Sequence, residues 1–367
     1  MAAAGDRTTD RATLPMHGAA ALPSVIVDSY NLEIEDNEGF IGDRASRTAF
    51  WETLDEWRQR LKAQGDDPFG KTRTDEMGNK ALAELLATGP IEAAGVVHSA
   101  IEDHAQQLTT VIKRFLKQKT WKDTECIVFG GGFRASRVGE LAIGRTSVLL
   151  KADGIDIDLE LITHDPDEAG LIGGAHLLPA WMLKGYDSIL AVDVGGTNIR
   201  AGVVELRLGK AKDLSAARVW ESHLWRHGDE KVSRTETVEN LTDMLQSLLK
   251  EARKAKMKLA PVIGIGCPGI IEADGSILRG AQNLPGDWEG KKFNFPAAVQ
   301  EAIPTIGDHD TLVVLHNDAV VQGLSHLPHV QNRTRWAMLT IGTGLGNVRY
   351  TTRQNDKGRS AKPKAEK

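Results

Sequence analysis

Residues 190–204 read Leu-Ala-Val-Asp-Val-Gly-Gly-Thr-Asn-Ile-Arg-Ala-Gly-Val-Val. Two apolar runs rich in β-branched residues flank a short polar segment, which predicts two strands joined by a tight turn. Glycine permits positive φ angles and lets a ligand approach the backbone closely. Exposed amides and hydroxyls in such a turn can bind phosphate oxygens, and a carboxylate at the strand end can hold a hydrated Mg²⁺. The candidate residues are Asp193, Gly195, Gly196, Thr197 and Asn198.

A second glycine-rich segment lies near the end of the chain. Thr340–Gly346 reads Thr-Ile-Gly-Thr-Gly-Leu-Gly and follows a predicted strand that begins at Trp336. A strand that runs into alternating glycines suits a second phosphate-binding turn, although the same pattern also occurs in purely structural turns. The candidate residues are Gly342, Thr343, Gly344 and Gly346.

Two polar segments lie between these turns. His316-Asn317-Asp318 falls between a predicted strand and a predicted helix. A carboxylate at that position either caps the helix or is available for chemistry. Asn283–Trp288 reads Asn-Leu-Pro-Gly-Asp-Trp, and its Pro-Gly pair alone indicates only a turn.

Together these segments resemble the motifs of sugar kinases of the ROK family (repressor, open reading frame, kinase), within the actin-like ATPase superfamily. Residues 190–204 resemble the first phosphate motif of that family, and Thr340–Gly346 resembles the second. Ile127–Gly132, which reads Ile-Val-Phe-Gly-Gly-Gly, resembles its adenosine motif, and Asp167–Ala175 resembles its final helix. Asn283–Trp288 resembles a loop whose asparagine contacts the sugar.

The resemblance implies a two-lobed α/β fold of the ribonuclease H-like type. It implies transfer of the γ-phosphate of ATP to a hexose, with glucose as the default sugar and Mg²⁺ held by Asp193 through water. Asp318 would be the general base that accepts the proton of the sugar hydroxyl. The residues expected to contact the sugar are Asn283, Asn317, Asp318 and Asp43, and those expected against the adenosine are Gly130, Gly131 and Gly132.

Two departures from the family pattern concern the sugar and a metal. The segment Glu38–Ser46 matches the family's Gly-Glu-x-Gly-His segment poorly, with Asp43 in the place of the glutamate and Ser46 in the place of the histidine. The identity of the sugar is therefore left open. Many members of the family carry a Cys-rich zinc site, and two isolated cysteines cannot supply it, so no structural zinc is expected.

The order of the motifs differs from the family order. The adenosine motif and the final helix come last in the family, whereas here they precede the first phosphate motif. We interpret this as a circular permutation, with the old ends joined near residues 183–188. The alternative is an unrelated N-terminal domain fused to a degraded kinase. The predicted units are disordered tails at 1–22 and 353–367, a nucleotide-side lobe of 23–165 plus 319–352, and a sugar-side lobe of 166–318.

Composition limits the partners and the location. The chain has 367 residues, 41% hydrophobic, and a formal net charge of −5, so binding to nucleic acid or to an anionic membrane is not expected. No apolar run has membrane-spanning length. Cys126 and Cys267 lie in apolar strand-like runs and indicate buried thiols in a reducing compartment, which predicts the cytoplasm. A homodimer is left open.

Two other functions remain at this stage. A non-catalytic protein that senses a sugar or nucleotide would use the same fold and binding loops. An ATPase of the wider superfamily would lack a sugar site, and the segment Asn283–Trp288 argues against it. The sequence leaves the choice between ATP and polyphosphate as donor open.

Overall fold

A computed structural model of the chain describes residues 15–353, apart from the side chain of Asp229. The strands of this part are β1 (Val25–Tyr30), β2 (Glu35–Asp36), β3 (Gly39–Phe40), β4 (Cys126–Gly130), β5 (Asp158–Leu161), β6 (Ser188–Val194), β7 (Ile199–Glu205), β8 (Arg218–Trp225), β9 (Leu259–Cys267), β10 (Thr305–Ile306), β11 (His309–Asp310), β12 (Leu312–Asn317), β13 (Arg335–Ile341) and β14 (Leu345–Thr352). The α-helices are α1 (Arg47–Lys62), α2 (Asn79–Thr88), α3 (Ile91–Leu116), α4 (Arg137–Ala152), α5 (Pro166–Ala175), α6 (Ala180–Leu183), α7 (Arg234–Lys254), α8 (Phe295–Ala302) and α9 (Asp318–Leu324).

Two five-stranded sheets organise the molecule, and both have the same internal order. The second sheet runs β12-β9-β6-β7-β8, in which β6, β7 and β8 are antiparallel and β9 and β12 continue parallel to β6. The first sheet runs β5-β4-β13-β14-β1, in which β13, β14 and β1 are antiparallel and β4 and β5 continue parallel to β13. This order is that of ribonuclease H-like folds, so the prediction of a two-lobed α/β fold of this type is confirmed.

The three apolar cores lie in layers around the two sheets. One core packs helices α1, α3 and α4 on the outer face of the first sheet, and another packs α7 and α8 on the second sheet. A third core lies between the lobes and includes α5 and α9. Helix α9 contacts strands of both sheets, so it is the element through which the lobes meet.

Glycines allow the close packing of α5 in this central core. A Cβ atom on Gly173 would overlap the carbonyl group of Val321 in α9. A Cβ atom on Gly264 of β9 would lie 2.6 Å from the carbonyl oxygen of Gly174. The glycines of α5 are therefore required by its tight fit between α9 and β9.

Proline interrupts two segments whose sequence predicts one helix each. Residues 76–117 have helical spacing of their apolar side chains, but Gly89-Pro90 divides them into α2 and α3, because proline disfavours a helical conformation in the residue before it. Residues 168–183, rich in small side chains, also predict one helix, but α5 ends at Ala175 and Pro179 precedes the short α6. Strand β14 was not predicted as a strand, although Val348 and Tyr350 alternate with polar side chains.

Residues 16–22 correct the prediction of a disordered tail. The Gly18 amide donates to the Leu315 carbonyl, and Nδ1 of His17 accepts from the Leu315 amide, both on the open edge of β12. Leu22 then pairs with Val25 at the start of β1. This segment therefore joins the edge of the second sheet to the first sheet. The remaining parts of the predicted tails, 1–14 and 354–367, lie outside the described residues.

The first sheet takes its strands from residues 25–161 and 335–352, and the second from residues 188–317. None of the helices within residues 15–353 is long and apolar enough to cross a membrane.

Candidate active site

The first glycine turn connects β6 and β7. The Gly195 amide donates to the Asn198 carbonyl at 2.8 Å, and Val194 pairs with Ile199 just before the turn. Thr197 is exposed at its tip. The expectation of positive φ was wrong for Gly195 and Gly196, which are not among the left-handed residues. Gly196 lies close to the neighbouring loop, and a Cβ atom there would make a tight contact of 3.2 Å with Cβ of Asn283.

A segment that follows β8 holds this turn in place. Nε2 of His227 lies 2.9 Å from the Gly195 carbonyl oxygen, to which it can donate, and the Gly228 amide donates to the Thr197 carbonyl at 3.0 Å. His227 is buried. The carbonyls of Gly195 and Thr197 are thus bonded to the segment after β8, and the Gly195 amide is bonded within the turn. His227 belongs to no motif of the sequence and was not predicted as a site residue.

Asp193 lies at the carboxyl-terminal end of β6, where the sequence predicts it. Its carboxylate is buried against α5 at a point where only glycine fits, because a Cβ atom on Gly170 would lie 2.6 and 2.8 Å from its two oxygens. Arg200 lies 3.9 Å from Asp193 and also pairs with Asp167. Burial raises the pKa of Asp193 to about 6; the Arg200 charge opposes this shift and the Asp167 charge adds to it.

Asn317 and Asp318 have different roles at the end of β12. Asn317 is the N-cap of α9, since its side chain accepts from the amides of Ala319 and Val320. Its side-chain amide also donates to the Gly269 carbonyl at 3.1 Å. Asp318 is the first residue of the helix and is half-buried. The helix is therefore capped by Asn317 and not by Asp318.

The two candidate carboxylates lie at the ends of nearby parallel strands. Asp193 pairs with Gly266 of β9, and Asn317 pairs with Cys267 of the same strand. Ligands of α/β proteins commonly bind at such carboxyl ends. Burial and the negative charge of Asp193 raise the pKa of Asp318 to about 7. The two carboxyl groups therefore form an acidic centre, in which the charge of Asp193 raises the pKa of Asp318.

Asn283 faces the first glycine turn from the neighbouring loop. A cavity of about 750 Å³ is lined by Gly196, Thr197, Asn283, His227 and the start of α7. Neither Asp193 nor Asp318 lines this cavity. The structure thus brings Asn283 to the phosphate turn, while the acidic centre lies beyond it at the strand ends.

The second glycine turn connects β13 and β14 in the first sheet. Gly342 donates from its amide to the Gly344 carbonyl at 3.0 Å, and a Cβ atom on Gly346 would overlap the Thr340 hydroxyl. The turn is held from α1, because the Arg47 amide donates to the Gly342 carbonyl and the Thr48 hydroxyl donates to the Thr343 carbonyl. Thr343 and Gly344 are exposed.

The three glycines of the adenosine-like motif lie beside this second turn. Gly130 ends β4 and pairs with Thr340 of β13. Gly131 has a φ of +81°, and a Cβ atom there would lie 2.5 Å from the Ile341 carbonyl oxygen. Gly132 is exposed. Both glycine-rich segments of the first sheet therefore meet at one edge, with little room for any larger residue at Gly131.

Asp43 is exposed in a short 3₁₀ turn, Ile41–Ala45. Burial of its carboxyl group and the nearby Glu33 raise its pKa. In the described part of the chain no hydrogen bond or ion pair joins Asp43 to Asn283, Asn317 or Asp318. Ser46, in the place of the family's histidine, is buried and caps α1 through the Ala49 amide.

Comparison with known proteins agrees with the motifs of the second half. Residues 189–352 match the family model described as the ROK family. The match to this family model covers less than half of the chain. A glucokinase of Thermotoga maritima is 30% identical over 162 residues, which cover 43% of each chain. The chain thus spans less than half of the length of this curated relative.

Two solved structures resemble parts of the chain. A ROK hexokinase from Thermus thermophilus is 24% identical, with coverage of 36% of this chain and 35% of that chain and a TM-score of 0.26. A protein of Listeria monocytogenes, proposed to be an N-acetylmannosamine kinase, is 20% identical, with coverage of 47% and 51% and a TM-score of 0.32.

Proposed function

We propose that the protein is an ATP-dependent hexose kinase, similar to glucokinase, that transfers the γ-phosphate to a sugar hydroxyl. The observation that carries the proposal is the placement of the half-buried Asp318 near Asp193, at the ends of β12 and β6, which flank β9, while Asn317 caps the helix. The two glycine turns, one in each sheet, would supply phosphate-binding amides. The ROK relationship of residues 189–352 supports the same assignment.

Asp318 would act as the general base. Phosphoryl transfer depends mainly on positioning and on charge stabilisation, so the protein has to orient the hydroxyl and remove its proton. Asn317 and Asn283 would orient the sugar, and Asp318 would accept the hydroxyl proton as attack proceeds. A pKa near 7 suits a base that takes up a proton and releases it in each cycle.

Amides of the turns Gly195–Asn198 and Gly342–Gly346 would bind the phosphate groups, apart from those of Gly195 and Gly342, which donate within their own turns. Each turn is fixed from behind by hydrogen bonds to its carbonyls, from His227 and Gly228 in one case and from Arg47 and Thr48 in the other. Such donors require no reorganisation when charge develops in the transition state.

The residues around Asp193 fit a magnesium ion. Asp193 offers carboxylate oxygens, the ligand type that Mg²⁺ prefers, at the carboxyl end of β6. The nearest cationic group, among the described residues, is the Arg200 guanidinium at 3.9 Å. Asp193 would hold Mg²⁺ through water, and the ion would neutralise charge on the β- and γ-phosphates. Closure of the two lobes would exclude water from this site.

A circular permutation would explain why a ROK segment begins only at residue 189. In the second sheet β6, β7 and β8 follow one another along the chain, whereas the equivalent strands β13, β14 and β1 of the first sheet are divided between the two chain ends. Val25 pairs with Thr352, and the Arg353 amide donates to the Ser24 carbonyl. We propose that β14 and β1 were once consecutive, and that the lobes are 23–165 plus 319–352 and 166–318.

A panel of hexoses with MgATP tests the function directly. We expect ADP formation that depends on one or a few hexoses, measured with a coupled assay, and no comparable turnover with polyphosphate. Asp318→Asn should retain sugar binding but reduce turnover by about 10²- to 10⁴-fold. Asp310→Asn, an exposed aspartate in β11, is the matched control and should behave like wild type.

The same panel separates the alternatives. Sugar or nucleotide binding by calorimetry without ADP formation would favour a sensor over an enzyme. ADP formation that is independent of sugar would indicate an ATPase. If Asp318→Asn turns over like wild type, the assignment of the base is wrong.

The cytoplasm remains the proposed location.

A further inference from the structure

Gln322 links the candidate catalytic helix to the adenosine-like turn. Its side-chain oxygen Oε1 accepts a hydrogen bond from the Gly131 amide at 3.0 Å. The residue is 9% exposed, so this amide and this oxygen meet away from solvent. The two partners belong to different parts of the chain, since Gly131 follows β4 and Gln322 lies in α9.

The turn is built around this side chain. A Cβ atom on Gly130 would overlap both Oε1 of Gln322 and the methyl group of Met338, so the backbone comes as close to the glutamine as glycine permits. Gly131 adopts a φ of +81°, which directs its amide toward α9 and places its Cα against the backbone of Ile341. Gln322 therefore determines the position of the backbone at the point where the adenosine would lie.

The same helix carries the candidate base. Asp318 and Gln322 are four residues apart in α9 and so lie on the same face, one turn from each other. The helix is also fixed from β14, because the Tyr350 hydroxyl donates to the Val320 carbonyl at 2.7 Å. A Cβ atom on Gly323 would overlap that hydroxyl. The helix therefore has little freedom to move relative to the adenosine-like turn.

We propose that Gln322 is a positioning residue that couples nucleotide binding to the placement of Asp318. This inference rests on the proposed kinase function and adds to it a physical link between the two substrate sites. Without the glutamine oxygen, the part-buried Gly131 amide would lose its hydrogen-bond acceptor, which would weaken the conformation of the turn expected to bind the nucleotide. The helix that carries Asp318 would lose one of its contacts with the first sheet.

Gln322→Met tests the link, because methionine has nearly the same length and lacks the acceptor oxygen. We expect the dissociation constant of MgADP, measured by calorimetry, to rise about tenfold or more, in line with the cost of an unpaired buried amide. KM for ATP should rise and kcat should fall, while KM for the sugar stays within twofold. Hydrogen exchange at the Gly131 amide should become faster than in wild type.

Two further variants complete the experiment. Gln322→Glu keeps an acceptor oxygen at the same distance and should restore most of the affinity for MgADP. Gln331→Met removes a surface glutamine that donates to Asp213, and it should leave both substrates unaffected. If Gln322→Met does not fold, two measurements still test the link. One compares Gln322→Glu with wild type, and the other is the exchange rate of the Gly131 amide in wild type. Rapid exchange at that amide would contradict the link.

The outcomes separate this inference from the proposed function. If the wild type binds no MgADP, the kinase proposal fails and the coupling fails with it. If the wild type binds MgADP and Gln322→Met binds it within twofold as tightly, only the coupling is wrong. An equal rise in KM for ATP and for the sugar would indicate a general structural role and would also overturn the coupling.

Discussion

At the residue scale, the division of roles between Asn317 and Asp318 determines what the site can do. A carboxylate that accepts amide hydrogen bonds as an N-cap is stabilised in its charged form and is a weak base. Here the asparagine oxygen accepts the Ala319 and Val320 amides. Asp318 accepts one amide hydrogen bond, also from Ala319, and lies next to a second negative charge. Burial, and then this second charge, raise the pKa of Asp318.

This environment predicts the pH dependence of the reaction. The base must be ionised to accept a proton, and the pKa of Asp318 is raised to about 7 by burial and by Asp193. The value of kcat/KM for the sugar should therefore rise with pH through about 7 and fall about tenfold per unit well below it. Steady-state rates between pH 5 and 9 would measure this. A flat profile between pH 5 and 7 would contradict the assignment.

Gly170 makes the placement of Asp193 possible. Gly170→Ala should force the Asp193 carboxylate away from α5, since a Cβ atom would lie 2.6 and 2.8 Å from its oxygens. Turnover should fall at least tenfold, as small displacements of positioning groups are costly. Gly144→Ala in α4 is the control, because nothing lies within 4 Å of its Cβ position. That variant should keep wild-type activity and gain stability from the better helix former.

Melting temperatures measured in parallel distinguish displacement of Asp193 from a general loss of folding. A Gly170→Ala protein with wild-type turnover would show that the close approach of the carboxylate has no role in the reaction.

At the scale of elements, the hairpin turns depend on neighbours that are distant in sequence. The turn after β6 is held by the segment after β8, through His227 and Gly228. The turn after β13 is held by the start of α1. A glycine-rich turn alone has many conformations, so these contacts select the one that presents its amides.

His227→Ala removes the side-chain contact to the Gly195 carbonyl. We expect KM for ATP to rise several-fold with little change in KM for the sugar, because the loosened turn is the phosphate-binding one. His223→Ala on the adjacent strand β8, where the histidine faces Glu251, is the matched control. Equal effects of the two variants in the same steady-state assay would show that His227 does not fix the turn.

Elements with strong local signals could be predicted from the sequence. The apolar runs around the first glycine turn form β6 and β7, and the strand predicted before Asn317 is β12. Strand β14 was not predicted, because it directly follows the glycine turn, which gives the stronger local signal. The order in residues 16–22 was missed because it depends on the unpaired edge of β12, which local composition does not reveal.

The candidate site was predictable where a motif carries it and not elsewhere. Asp193, Asn317 and Asp318 fall at strand ends as expected. His227 and Gln322 have no motif, and their contacts arise only when distant segments pack together. Arg200 does have a local signal, because it is the one charged residue of an otherwise apolar strand before Glu205.

At the scale of the whole molecule, the proposed permutation predicts that a reordered chain will fold. The reordered chain would begin at Asp187, continue to Arg353, pass through a Gly-Ser linker to residue 15, and end at Lys184. A linker of about twelve residues spans up to about 40 Å, more than the extended segment 16–22 can cover. The new ends fall in an exposed loop where Gly185 has a φ of +87°.

This reordered protein should keep the melting temperature within a few degrees and the sugar-dependent kinase activity within a few-fold. Thermal unfolding and the hexose assay would measure both. A chain that is opened instead within β9, between Gly264 and Ile265, is the control and should not fold, because the break falls in a buried strand. If the reordered chain also fails to fold, the two ends of the first sheet are not interchangeable and the permutation is wrong.

The divided first sheet has a consequence for synthesis on the ribosome. Its central strand, β13, is made only from residue 335, whereas β1, β4 and β5 are complete by residue 161. At about 5–20 residues per second, the synthesis of β13 follows that of β5 by roughly 10–40 s. The second sheet is continuous and is complete at residue 317. We therefore expect the nascent chain to fold its later half first, so that the finished second lobe serves as the template on which the early segments assemble.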